Sequence, residues 1–128
     1  MSRTGDILVV DDEVNIVGLV VDLLQDEGYP VRSALNGAEA LRVIAEQRPA
    51  LILMDMYMPQ MTGMMMLEHL HSQGIFDIPV ILMTASPRAA EQFSANATID
   101  YLAKPFDIEE LLECVSRYIH PPNSNTAT

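Results

Sequence analysis

At 128 residues and 14.2 kDa, with 49% apolar and 20% charged residues, the chain is long enough for one domain with a real core and too short for two. No apolar run reaches the length of a bilayer span, and MSRTGDILVVDD lacks the apolar centre and small-residue cleavage site of a secretory signal, so the chain reads as cytoplasmic with no membrane attachment. A net charge of −11 would repel a phosphate backbone, which argues against direct nucleic-acid binding; any DNA-directed effect must pass through a partner.

The first apolar run, DILVV (6–10), predicts a strand, and a helix follows on which Val14, Val17, Val20, Val21 and Leu24 share a face, with Gly28 as its C-terminal cap. VRSA (31–34) predicts the second strand. Residues 37–47 then place Ala40, Leu41 and Ile44 on one helical face after an Asn36 cap, and Arg48-Pro49 stops that helix. LILMD (51–55) is the third strand, and a helix is expected over about residues 63–72. VILMT (80–84) is the fourth strand, SPRAAEQFSAN (86–96) a short helix and DYLA (100–103) the fifth strand. In the last helix, DIEELLECVSRYI (107–119), Asp107 and Glu110 have capping-box spacing. Cys114, the single cysteine, lies in the apolar context of this helix; it reads as a core thiol and cannot form an internal disulfide. PPNSNTAT (121–128) reads as a disordered tail or linker.

Strands separated by helix-length segments form a parallel sheet with helices on both faces, because both faces need cover. The fold class is therefore α/β, three layers around a doubly wound, five-stranded parallel sheet. In such sheets the functional crevice lies beyond the carboxyl ends of the strands, where strand order reverses.

Chemistry collects at those ends. The third strand runs apolar from Leu51 to Met54 and finishes in Asp55, the first ends in Asp11 and Asp12, the fourth in Thr84, and the fifth is followed by Lys104-Pro105. Taken singly, each has an ordinary explanation as a cap, a turn or a strand residue. Together, three carboxylates at one edge would raise one another's pKa values unless a cation neutralised them. All-oxygen ligation suits Mg²⁺, and Lys104 is the only lysine in the chain, the other basic residues all being arginine. Mg²⁺, an ammonium, a hydroxyl and a carboxylate free to act as nucleophile form a device for accepting a phosphoryl group.

With VVDDE, LILMDMYMP, MTA and YLAKPF in this order, the sequence resembles the receiver domain of bacterial two-component response regulators over residues 5–120. The resemblance implies a receiver domain over 1–120 with the flavodoxin-like strand order 2-1-3-4-5. It makes Asp55 the phosphoacceptor, modified by a sensor histidine kinase or phosphotransfer protein. Asp12 would bind Mg²⁺ directly, Asp11 mainly through water, and Asp55 and the Tyr57 backbone carbonyl would complete the metal ligands. Lys104, Thr84 and the Ala85 backbone N–H would bind phosphoryl oxygens. Thr84 and Tyr101 would form the switch, and the Lys104-Pro105 bond would be cis. Such a domain relays a signal to an effector domain or protein target in a phosphorelay, has no enzymatic role beyond auto-phosphotransfer and autodephosphorylation, and counts a homodimer among its allowed assemblies.

The sequence departs from the family between Thr84 and Lys104, where it is shorter and SANATID replaces a Gly-Ala turn, so the helix over 86–96 is expected to be short or irregular. Tyr57 reads equally as a shield over the site or as a ring stacked on its neighbours. Seven of the nine methionines fall between Met54 and Met66, as core packing or as an adaptable docking surface. His69 and His71, two apart on a helix, make a poor metal pair and instead suit the dipole of its C-terminal end. A dehalogenase-type phosphatase would need a second Asp where Tyr57 stands, and a flavodoxin-like nucleotide site would find phosphate repelled by Asp11-Asp12-Glu13. The remaining alternative is a phosphorylation-independent, receiver-like interaction module.

Overall fold

Five runs of Val, Ile, Leu and Met form strands β1 (Ile7–Val10), β2 (Val31–Ala34), β3 (Leu51–Asp55), β4 (Val80–Thr84) and β5 (Ile99–Ala103) of one parallel sheet. They are seen in a computed structural model that describes residues 5–86 and 99–121. The strand order is β2-β1-β3-β4-β5, with Val10 beside Ala34 and Met54, Asp55 beside Met83, and Thr84 beside Ala103. The expected α/β class, the parallel pairing and the strand order are all observed. Every residue of β1, β3 and β4 is buried, because central strands are covered on both faces, whereas β2 and β5 at the sheet margins are partly open.

Alternation along the strands divides the core in two. Ile7, Val9, Leu51, Leu53, Ile81, Met83 and Leu102 face helices α1 (Val14–Asp26) and α4 (Ile108–Ser116). Leu8, Val10, Ile52, Met54, Val80 and Leu82 face α2 (Gly37–Glu46) and α3 (Gly63–Ser72). The caps are local. Asn36 and Thr62 side chains accept from the N–H groups of Glu39 and Met65, and Asp107 and Glu110 form the full capping box that their spacing predicts. Gly28 ends α1 at a φ of +94°, a conformation that favours glycine.

One helical assignment needs correction. Val14 is 64% exposed, and the buried stripe of α1 is Val17, Val20 and Leu24. At about 100° per residue, Val14 lies roughly 90° from the centre of that stripe, beyond the reach of the sheet. The last helix also stops at Ser116, earlier than expected, and β5 starts one residue earlier, at Ile99. The short helix expected over 86–96 lies, apart from Ser86, outside the described residues, as does the tail beyond Pro121. Among the described residues no helix is long and apolar enough to cross a membrane.

Candidate functional site

Strand alternation explains why three charged side chains meet. Asp11 follows Val9 by two positions, Asp55 follows Leu53 and Lys104 follows Leu102, so each continues the α1/α4 side of the sheet past its carboxyl edge. β1 and β3 are hydrogen-bonded neighbours, which sets the two carboxylates side by side. Asp11 is fully buried, Asp55 is 7% exposed and Asp12 faces solvent. One carboxylate oxygen from each of the three lies within 4.8 Å of the others. Lys104 Nζ stands 3.2 Å from Asp11 Oδ2 and 3.4 Å from Asp55 Oδ2.

Backbone donors orient the carboxylates. The Glu13 N–H donates to Asp11 Oδ1 at 3.0 Å and the Tyr57 N–H to Asp55 Oδ1 at 3.3 Å. Burial, and then the facing Asp11 carboxylate, push the Asp55 carboxyl above the usual carboxylate range, against the opposing pull of Lys104. Burial also works against the Lys104 charge, but Asp11 and Asp55 outweigh it and leave the ammonium above the ordinary lysine value. Lys104 balances one of the three negative charges. The donor set is therefore all oxygen, net negative and open to solvent on the Asp12 side, and it can hold a metal ion.

The remaining predicted residues fall on or beside this edge. Thr84 is 2% exposed, its Oγ1 accepts from the Ser86 N–H at 3.1 Å, and its carbonyl receives the Lys104 N–H at 2.8 Å. Ala85 is exposed directly after it. Tyr101 is half-buried against the α2/α3 side, in register with Leu82, and so shares a sheet face with Thr84. The Lys104-Pro105 peptide bond is cis.

Tyr57 is 62% exposed and lines a small cleft with Met56, Thr62 and Met64. Met54, Met56, Met58 and Met66 are buried and only Met65 of the run is mainly exposed, so most of the methionines are core. His69 and His71 occupy the last turn of α3, where His71 stacks on Phe76 at 5.0 Å between ring centres. Cys114 is buried, and its thiol is pushed up to about 11 by burial and by Asp100.

Two features were not anticipated. Gly63 packs on the end of β3: a Cβ there would stand 3.1 Å from the Asp55 carbonyl oxygen and from Met56 Cα, and 3.0 Å from Leu82. The signal was its place right after the Thr62 cap. An apolar groove lined by Ile16, Leu19, Pro105 and Phe106 also opens beside Lys104 and Glu13. Its parts come from α1 and from the stretch before α4, far apart in sequence.

Comparison with known proteins is consistent with this arrangement. Residues 7–116 match the family described as "Response regulator receiver domain". Over 123 residues the chain is 37% identical to sporulation initiation phosphotransferase F of Bacillus subtilis, covering 93% of this chain and 96% of that protein. It is 38% identical over 120 residues to the regulatory protein AtoC of Escherichia coli, covering 91% of this chain but 26% of AtoC. Among solved structures, chemotaxis protein CheY4 of Vibrio cholerae superposes with a TM-score of 0.82 at 32% identity, over 91% of this chain and all of that one. The receiver domain of NtrX from Brucella abortus gives 0.76 at 30% identity, over 89% and 98% of the two chains.

Proposed function

The chain belongs to the response regulator receiver domain family, and on that premise we propose that Asp55 is the residue through which it works as a phosphorylation-activated signalling switch. A carboxylate oxygen of Asp55 attacks the phosphorus of a phosphohistidine on a sensor kinase or phosphotransfer protein. A P–O bond forms, the P–N bond breaks, and the leaving imidazole nitrogen keeps the electron pair and takes a proton from solvent. Asp12 would hold Mg²⁺ directly and Asp11 mainly through water, with Asp55 and the Tyr57 carbonyl completing its protein ligands. When bound, the ion supplies charge neutralisation, so that the three carboxylates, Mg²⁺ and Lys104 together present no net repulsion to the incoming group.

Lys104 binds one phosphoryl oxygen, and the Thr84 hydroxyl and the Ala85 N–H bind others. Thr84 exchanges the bond it accepts from Ser86 for one that it donates, moves toward Asp55, and lets Tyr101 on the same sheet face turn inward. The groove beside Lys104 gives a helix of the donor protein an apolar seat next to the reacting carboxylate. The chain spans nearly all of the Bacillus relative but about a quarter of AtoC. Its output therefore goes either to a separate protein target or to an attached effector domain. Its own chemistry is limited to auto-phosphotransfer and autodephosphorylation.

The observation that carries this reading is the Asp11, Asp12 and Asp55 cluster with Lys104 between the two buried members. The test is intact-protein mass spectrometry after incubation with acetyl phosphate, with and without Mg²⁺, and with Asp55→Asn as control. One Mg²⁺-dependent phosphoryl adduct, absent from the variant, is the expected result. No adduct under conditions that preserve acyl phosphates would overturn it in favour of a phosphorylation-independent interaction module.

A further inference from the structure

Asp100 stands just before Tyr101 on β5, and both of its carboxylate oxygens are occupied. Oδ1 accepts the Tyr101 N–H at 2.8 Å. Oδ2 accepts the Tyr118 hydroxyl at 2.8 Å and Arg117 Nη1 at 3.2 Å. Alternation sends Asp100 to the α1/α4 side of the sheet while Tyr101 faces the α2/α3 side, so these two consecutive residues reach both layers. Burial opposes a charge on Asp100, yet the Tyr101 N–H, the Tyr118 hydroxyl and Arg117 together hold its carboxyl below the usual range, so the contacts are made at neutral pH.

We propose that Asp100 is a positioning residue for the switch: a clamp that fixes β5 at Tyr101 to the chain just past α4 and carries movement of Tyr101 to Arg117 and Tyr118. The inference rests on Asp55 being the phosphoacceptor and on Tyr101 being the residue that moves. β5 is a margin strand, held on one side by β4 and on the other, at this point, by a side chain instead of a neighbouring strand. A margin strand is paired along one side only, so it is easier to displace than a central strand. Thr84 pairs with Ala103, two positions along the same face from Tyr101, so the route from the acidic site to the end of α4 runs through adjacent residues. Coupling of this kind is reciprocal: loosening the clamp must favour the phosphorylated packing as much as phosphorylation loosens the clamp.

The experiment uses ¹⁵N-labelled protein, comparing wild type with Asp100→Asn and with Tyr118→Phe, which deletes a single hydroxyl and spares the packing. The measurements are the Mg²⁺-dependent rate of phosphorylation by acetyl phosphate and the amide resonances of Thr84, Ala85 and Ser86. A larger population of the active packing presents the reactive site more often, so both variants are expected to react faster, on the order of fivefold, a population shift at the low end of coupling between sites. The three amides should move, before any phosphorylation, toward their phosphorylated positions. Lower thermal stability with unmoved amides and an unchanged rate would make Asp100 merely structural and overturn the clamp. Absence of any adduct on wild-type protein would instead overturn the assignment of Asp55, and the clamp with it.

Discussion

Asp55 is a carboxylate held where its charge is costly, and the cost has a testable sign. Its folded-state pKa lies above the reference value of 3.8, so it contributes stability fully below pH 3.8 and withdraws it as pH rises through the raised value. With Mg²⁺ chelated, urea melts should therefore show wild type losing stability relative to Asp55→Asn as pH is raised from 3.8; a relative gain would contradict the burial argument. Adding Mg²⁺ should restore wild-type stability through binding to the folded state, and Asp12→Ala should lose most of that response. Lys104→Ala leaves Asp11 and Asp55 facing each other with no ammonium between them. Its Asp55 carboxyl, followed by ¹³C resonance titration without Mg²⁺, should titrate higher still, and activation should weaken.

At the scale of elements, α3 sets the position of the strand end. Gly63 opens that helix, its N–H donates to the Met56 carbonyl at 2.8 Å, and the space its missing side chain leaves is taken by Asp55, Met56 and Leu82. Because two of those contacts are backbone, Gly63→Ala should cost about 1–3 kcal/mol, as overpacking does. It should also slow phosphorylation, since relief requires Asp55 to shift. Asp107→Ala is the matching control. It removes the capping box of α4 at about 1 kcal/mol and should leave the phosphorylation rate unchanged. Urea melts paired with acetyl phosphate kinetics separate the two outcomes.

Across the whole molecule, one edge of the sheet gathers the chemistry while the apolar groove of Ile16, Leu19, Pro105 and Phe106 lies next to it. On the proposed function a protein donor would seat against that groove, whereas a small phosphodonor would not need it. Leu19, 56% exposed, can take a charge without disturbing the core. Leu19→Glu is expected to slow transfer from a phosphohistidine protein by about tenfold, equivalent to roughly 1.4 kcal/mol of transition-state binding. Phosphorylation by acetyl phosphate should be untouched. Equal slowing of both would assign Leu19 to the site and not to partner docking.

The strands and the chemistry at their ends can be read from the local residue pattern. Continuous apolar runs ending in Asp11, Asp55 and Thr84, and a lone lysine after the fifth strand, are legible because strands of a parallel sheet are buried on both faces and the sheet delivers every strand end to the same edge. Local capping was legible for a different reason, its short range, since Asn36 and Asp107 act on residues three positions away. Contacts between distant segments were decided only by tertiary structure. How wide a stripe of α1 is covered was set by packing, which leaves Val14 outside it, and nothing near Asp100 named Tyr118 and Arg117 as its partners. Nor did the spacing show that Lys104 would sit between two carboxylates while the third stayed in solvent. Periodicity records which face a residue prefers; which partner it meets depends on the register and packing of elements far apart in the chain.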